Sequence, residues 1–174
     1  MNRAFISLGS NIDKERNLPA AVRLLAERCR LVAVSTVYET LPAGLPEQAN
    51  YLNAAVLVET ELGPAELKEQ ILTRVEQDLD RVRTADRHAP RTIDVDLALF
   101  NDAVLEYDGH QIPDPDLLKY PHAAVPIADI APDLPHPETG EPMHVIASRL
   151  LQEGTARNEG EAPLWPRPDI DLRH

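Results

Sequence analysis

A chain of 174 residues with ordinary apolar content suits one domain with a core of its own. Its formal net charge of −12 argues against nonspecific binding to nucleic acid or acidic membranes, so any polyphosphate site must be a local basic patch with metal help. No apolar run approaches membrane-spanning length, the N-terminal apolar stretch reads as too short for a secretory signal, and a single Cys29 excludes an intramolecular disulfide and fits a reducing compartment.

Residues 3–8 read as a short buried strand ending at Gly9-Ser10-Asn11. The glycine there suits a tight strand-to-helix turn, and Ser10 and Asn11 are available for capping. The spacing of Leu18, Val22, Leu25 and Cys29 predicts a helix over 17–28, with Pro19 in its first turn. Residues 30–40 are strand-like. Pro42, Gly44 and Pro46 make 41–50 a loop, and 51–62 is a further strand. Leu67, Ile71, Val75 and Leu79 recur with a period near four behind Pro64, so 64–79 is the clearest helix, with Glu76 on a different face.

The stretch 92–100, Thr-Ile-Asp-Val-Asp-Leu-Ala-Leu-Phe, is a strand in which alternation puts Asp94 and Asp96 on one face and Ile93, Val95 and Leu97 on the other. Adjacent carboxylates repel unless a cation sits between them. Hard oxygens on a rigid strand suit Mg²⁺, which completes its shell with water and substrate phosphates. Just upstream, Arg81, Arg83, Arg87 and Arg91 carry donors suited to phosphate oxygens. Taken singly, two acids on an exposed strand and arginines in a loop need no more than solvation to explain them. Together they point to chemistry on a polyphosphate. The order strand, helix, strand, strand, helix, strand predicts an α+β class with a ferredoxin-like βαββαβ core: an antiparallel sheet with helices on one face, plus a C-terminal extension.

The composite of Arg81-Val82-Arg83, Pro90-Arg91, Ile93, Asp94, Asp96 and Leu97 resembles the signature of the 6-hydroxymethyl-7,8-dihydropterin pyrophosphokinases of folate biosynthesis. It departs at Asp80 and Ala89, where glycine is usual. Leu8-Gly9-Ser10-Asn11 and Tyr51-Leu52-Asn53 are similar to two further family signatures. The resemblance implies Mg²⁺-dependent transfer of diphosphate from ATP to the hydroxymethyl group of the reduced pterin, giving AMP. It implies that Asp94 and Asp96 hold two Mg²⁺ ions, with Asp96 also orienting the acceptor hydroxyl. Arg81 and Arg91 would neutralise the migrating diphosphate, and Arg83 and Glu76 would bind the nucleotide. Asn53 would hydrogen-bond the pterin ring and Tyr51 would pack on it, while the loop over 41–50 would close over substrate. Without the resemblance, 41–50 is an ordinary connector, Asn53 is a strand-end amide satisfying local backbone, and Glu76 is a surface partner for an arginine.

Beyond Phe100, Asn101-Asp102 suits a turn, and 104–107 and 111–112 are short strands flanking Asp108-Gly109. Here the chain departs from the family again. Asp114 replaces a histidine and Tyr120 stands near a basic position, two groups that in the family reach the triphosphate. The second pterin-stacking aromatic maps to His122, and the large residue of the arginine loop, on the nucleotide side, maps to His88. Asp114 either binds a nucleotide sugar or is a turn residue. His136 and His144 lack partners at metal-ligand spacing and read as surface or core histidines.

Residues 1–151 are therefore expected to form the catalytic domain and 152–174, rich in Gly, Glu and Pro around Trp165, an irregular tail. The expected partners are ATP and a reduced pterin, with no nucleic acid and no membrane, in the cytoplasm. Three rival readings stand beside this one: the same transfer to another pterin or related alcohol, a noncatalytic pterin- or nucleotide-binding module, and a metal-dependent phosphodiesterase.

Overall fold

The computed structural model describes residues 1–42, 48–82 and 89–173. Its main sheet is antiparallel and runs in the order β5 (Asp94–Phe100), β1 (Asn2–Ser10), β4 (Tyr51–Thr60), β3 (Tyr38–Thr40), β8 (Leu164–Pro166). Strand β2 (Arg30–Val34) pairs with β4 as well. β4 lies inside the sheet because Leu52, Ala54, Ala55, Val56, Leu57 and Val58 are all buried, so both of its faces meet a core.

One face, carrying Ala4, Ile6, Leu8, Ala54, Val56 and Val58, packs on α1 (Lys14–Arg28) and on a continuous helical segment. That segment consists of α2 (Pro64–Leu67), a π-helical turn (Lys68–Leu72) and α3 (Thr73–Asp78). Leu18, Leu25, Leu67 and Leu72 are fully buried there, each stabilising the fold by about 1.5–3 kcal/mol relative to exposure. This is the expected βαββαβ layer. The opposite face, with Phe5, Ala55 and Leu57, is covered by α4 (Pro121–Ile130) and α5 (Met143–Arg157), supplied by the chain after the core unit. A separate hairpin, β6 (Leu105–Tyr107) and β7 (His110–Ile112), turns at Asp108 and Gly109. Both turn residues have positive φ, as a two-residue hairpin loop demands.

Four local expectations change. The strand predicted over 30–40 is two strands, because Ser35 breaks the ladder: its hydroxyl accepts the Ala55 N–H at 2.8 Å. Helix α1 begins at Lys14, so Pro19 is its sixth residue rather than a first-turn residue, and the carbonyl deprived of a donor belongs to exposed Glu15. Ser10 and Asn11 do not cap that helix; its N-cap is Asp13, in the left-handed region at φ 45°. Finally, the segment after 152 is not irregular throughout. α5 continues to Arg157, β8 extends the sheet beside β3, and Leu164 and Leu172 are buried in the core. His136 proves a core histidine, its Nδ1 accepting the Glu138 N–H at 3.1 Å, while His144 is exposed near Asp133.

Candidate active site

The site starts from register. β1 pairs Gly9 with Asn53 of β4 on one side and with Asp94 of β5 on the other. Opposed residues of an antiparallel sheet point to the same face, so Asn53, Gly9 and Asp94 form a row across three strands. A Cβ on Gly9 would stand 3.4 Å from Asn53 Oδ1, 3.9 Å from the Tyr51 ring and 4.0 Å from Asp94 Cβ. The missing side chain leaves the space that an amide, a phenol and a carboxylate surround. Gly9 is thus part of the site, which its expected role in a turn did not suggest. A glycine inside a strand is the available signal, since it marks close approach of a ligand or another backbone.

The neighbours hold this row in place. Asn53 Nδ2 donates to Thr40 Oγ1 at 2.9 Å in a buried contact. Asn11 Oδ1 accepts the Arg91 N–H at 2.8 Å, while its Nδ2 donates to Gln48 Oε1 at 2.8 Å. The Ser10 hydroxyl donates to the Thr92 carbonyl. Ser10 and Asn11 therefore join the end of β1 to the arginine segment and to the residues before Tyr51.

Asp94 and Asp96 share one face of β5 as the alternation requires, with Ile93, Val95 and Leu97 buried opposite. Asp94 is covered by arginines: Arg81 Nη1 lies 2.5 Å from its Oδ1 and Arg91 Nη1 lies 2.7 Å from its Oδ2. Burial works to raise the Asp94 carboxyl, but Arg81 and then Arg91 outweigh it and hold the group below the usual carboxylate range. Tyr51 stands beside the same Arg91, and burial raises its phenol despite that cation.

β5 is an edge strand, and this site uses its edge. Glu76 Oε2 accepts the Val95 N–H at 3.3 Å and an Arg81 Nη1–H at 3.3 Å. Arg81 also donates to the Ile93 carbonyl at 2.7 Å, and Lys68 Nζ to the Val95 carbonyl at 3.1 Å. The outward ladder groups at the start of β5, Val95 N–H and C=O and the Ile93 carbonyl before it, are thereby satisfied by side chains. Glu76 is the arginine's partner but no surface one, being 2% exposed. The π-helical turn before it inserts a wider turn into the helix and brings Val75 and Glu76 to the buried side together.

Asp96 carries the opposite charge balance to Asp94. Its side chain lines a recess, half-open to solvent yet closely surrounded by protein, and among the described residues its salt-bridge partner is Lys68 Nζ at 3.7 Å. Burial, then the neighbouring Asp94, push its carboxyl up to about 7 against the pull of Lys68, with Glu76 and Asp114 adding to the push. Beside it opens a cavity of about 280 Å³, walled by Lys68, Asp96, Tyr107, His110 and Asp114 among others. Burial, then Asp96, push the Tyr107 phenol up to about 12.

Asp114 lines that cavity and also caps the 3₁₀ turn Pro115–Leu118, its Oδ1 accepting the Asp116 N–H at 2.9 Å. Burial raises its carboxyl against the lowering effect of that N–H, and the Asp116 charge adds a smaller push upward. Tyr120 and His122 are exposed and stacked on one another, ring centroids 5.3 Å apart at 17°. Arg83 and His88, and residues 43–47 of the expected closing loop, lie outside the described residues.

No group of three His, Cys, Asp or Glu side chains able to hold a metal is formed among the described residues. Mg²⁺ does not require one, since one or two carboxylates with substrate phosphates suffice. Asp96, crowded by like charge and accessible, fits such an ion. Asp94 fits once its arginines exchange it for phosphate oxygens, an exchange of one charge-assisted contact for another.

Comparison with known proteins places the chain in a family. The sequence profile described as 7,8-dihydro-6-hydroxymethylpterin-pyrophosphokinase (HPPK) matches residues 5–132. The chain is 44% identical over 168 residues to 2-amino-4-hydroxy-6-hydroxymethyldihydropteridine pyrophosphokinase of Methylorubrum extorquens, covering 90% of this chain and 94% of that protein. It is 31% identical over 150 residues to Folic acid synthesis protein FOL1 of Dictyostelium discoideum, covering 86% of this chain but 22% of that protein. Among solved structures, HPPK-DHPS wild type of Plasmodium falciparum with SDX-DHP shares the fold at a TM-score of 0.70 and 12% identity, over 95% of this chain and 47% of that one. The chain thus spans nearly all of one relative and under half of the other two.

Proposed function

The chain belongs to the 7,8-dihydro-6-hydroxymethylpterin-pyrophosphokinase family, and from that premise we propose that it transfers diphosphate from ATP to the hydroxymethyl group of 6-hydroxymethyl-7,8-dihydropterin, releasing AMP. The observation that carries the reading is the row Asn53–Gly9–Asp94, which sets an amide suited to a heterocycle edge beside two carboxylates and two arginines. The pterin lies over Gly9, with Asn53 meeting its ring edge and Tyr51 packing on it. His122 flanks it, with Tyr120 stacked behind.

Arg81 and Arg91 leave Asp94 for the diphosphate and neutralise charge that grows on it during transfer. Asp94 and Asp96 hold the magnesium, with two ions expected. Bound there, the metal supplies Lewis acidity to the phosphoryl oxygens and lowers the pKa of the acceptor hydroxyl. Asp96, next to the row, orients that hydroxyl. The nucleotide occupies the cavity beside Asp96, with Arg83 and His88 assisting from the segment before Arg91. Glu76 serves the nucleotide side indirectly, by fixing Arg81. Asp114 lies where a nucleotide sugar hydroxyl could donate to it. Positioning and electrostatics carry the rate, with no covalent enzyme intermediate. No described helix is long and apolar enough to cross a membrane, and a reaction that needs ATP and a reduced pterin suits the cytoplasm.

The test is product analysis with Mg²⁺, ATP and 6-hydroxymethyl-7,8-dihydropterin. AMP formed in step with pterin diphosphate supports the reading. ADP alone, or AMP without a pterin product, contradicts it. Saturable pterin binding with no turnover would favour a binding module.

A further inference from the structure

Lys68 opens the π-helical turn, one turn before the segment that delivers Glu76, and its side chain is 15% exposed. It is the one ammonium among the described residues that line the cavity beside Asp96. The other charged walls are Asp96, Glu106 and Asp114, so a polyphosphate entering there would otherwise meet three carboxylates. An ammonium has three donors. One is spent on the Val95 carbonyl at 3.1 Å, and the Asp96 carboxylate at 3.7 Å lies beyond hydrogen-bond distance. Lys68 therefore keeps donors for a third partner without giving up its anchor on β5.

We propose that Lys68 is a nucleotide-binding residue of this enzyme: its ammonium takes a phosphate oxygen of ATP and supplies, from the helix side, the positive charge that Glu106 and Asp114 do not supply from the rest of the lining. The proposal rests on the pyrophosphokinase reading of the site. In the ligand-free protein Lys68 offsets part of the charge on Asp96. When a cation takes over at Asp96, the ammonium turns to phosphate while Val95 holds it in place. A point charge on a flexible stem suits this exchange better than a planar fork would.

The experiment compares wild type, Lys68→Met and Lys68→Arg. Each is titrated with the Mg²⁺ complex of an ATP analogue whose α,β bridging oxygen is methylene, at low and high salt, and separately with the pterin. The expected result is that Lys68→Met weakens analogue binding by about tenfold or more and flattens its salt dependence. Pterin affinity and melting temperature should stay near wild type, and Lys68→Arg should recover most of the loss. Unchanged analogue binding in Lys68→Met would overturn the proposal. So would parallel loss of analogue, pterin and thermal stability with no recovery in Lys68→Arg, which would mark a purely structural role at the β5 edge. Wild-type turnover is measured beside these titrations: failure to form AMP would count against the pyrophosphokinase reading, while the titrations still decide Lys68 by themselves.

Discussion

Asn53 and Asp94 stand two strands apart with Gly9 directly between them, and the absent Cβ of Gly9 is what makes the gap usable. Gly9→Ala would place a methyl 3.4 Å from Asn53 Oδ1, an ordinary contact that the fold can absorb. We therefore expect melting close to wild type, with the pterin KM raised about tenfold, or ~1.4 kcal/mol of binding, and the ATP KM little changed. Steady-state kinetics with each substrate varied in turn check this, and equal changes in both KM values would contradict the pterin row.

Arg81 joins Glu76, Asp94 and the Ile93 carbonyl, so its removal acts on the fold as well as on catalysis. Arg81→Ala takes the Arg81 contact from buried Glu76, and breaking a buried pair from one side costs about 3–5 kcal/mol. Arg91, whose backbone is separately held by Asn11, should be the milder loss in stability. Urea unfolding of the two alanine variants measures the difference. Equal midpoints would show that Glu76 is satisfied without Arg81.

Asp96 gives the metal-free protein a pH dependence of unusual sign. Its carboxyl is held at about 7 in the folded state, above the ordinary value that it regains on unfolding. The folded chain therefore binds the extra proton between those two values, and this stabilising contribution is full at acid pH and lost as pH rises through about 7. Asp94, held low by its arginines, contributes in the opposite sense and is lost in acid. In EDTA, Asp96→Asn should gain stability relative to wild type as pH is raised from 5 to 8, in thermal melts at matched ionic strength. It should also lose nearly all turnover. A stability difference independent of pH would remove Asp96 as its origin.

The segment after α5 is part of the fold rather than an appendage. Arg167 reaches Glu39 Oε1 at 2.5 Å and Asp169 Oδ2 at 2.9 Å, and Glu39 Oε2 accepts from Asn50 Nδ2 at 2.8 Å, next to Tyr51. Arg167→Ala should cost about 1 kcal/mol, as a partly exposed ion pair does. Ending the chain after residue 163 should cost more, since the burial of Leu164 and Leu172 is worth about 1.5–3 kcal/mol each. Both changes should raise the pterin KM through Asn50 and Tyr51. Denaturant unfolding beside kinetics reads both effects, and a truncated chain as stable as the full one would show that residues 164–174 add nothing to the fold.

The paired acids were legible in the sequence because strand alternation fixes their face whatever the partners are. The βαββαβ order was legible because each element had its own apolar period. The row through Gly9 was not, since it depends on the register of three strands that are distant in sequence. The burial of Glu76 was hidden by the π-helical turn, which shifts the side that a regular helix would predict. β8 was hidden by composition: Leu164–Pro166 carries few strand formers, and it pairs because β3 leaves an edge open beside it. The arginines' hold on Asp94 could not be read from spacing either, because Arg81 reaches it from beyond the turn that ends α3.

The most direct measurement follows the phosphorus that moves. With ATP labelled at the β-phosphorus, Mg²⁺ and the reduced pterin, we expect label in the pterin product, one AMP for each pterin diphosphate, and no transfer in EDTA. Label in ADP, or in free pyrophosphate with the pterin unchanged, would contradict diphosphate transfer at this site.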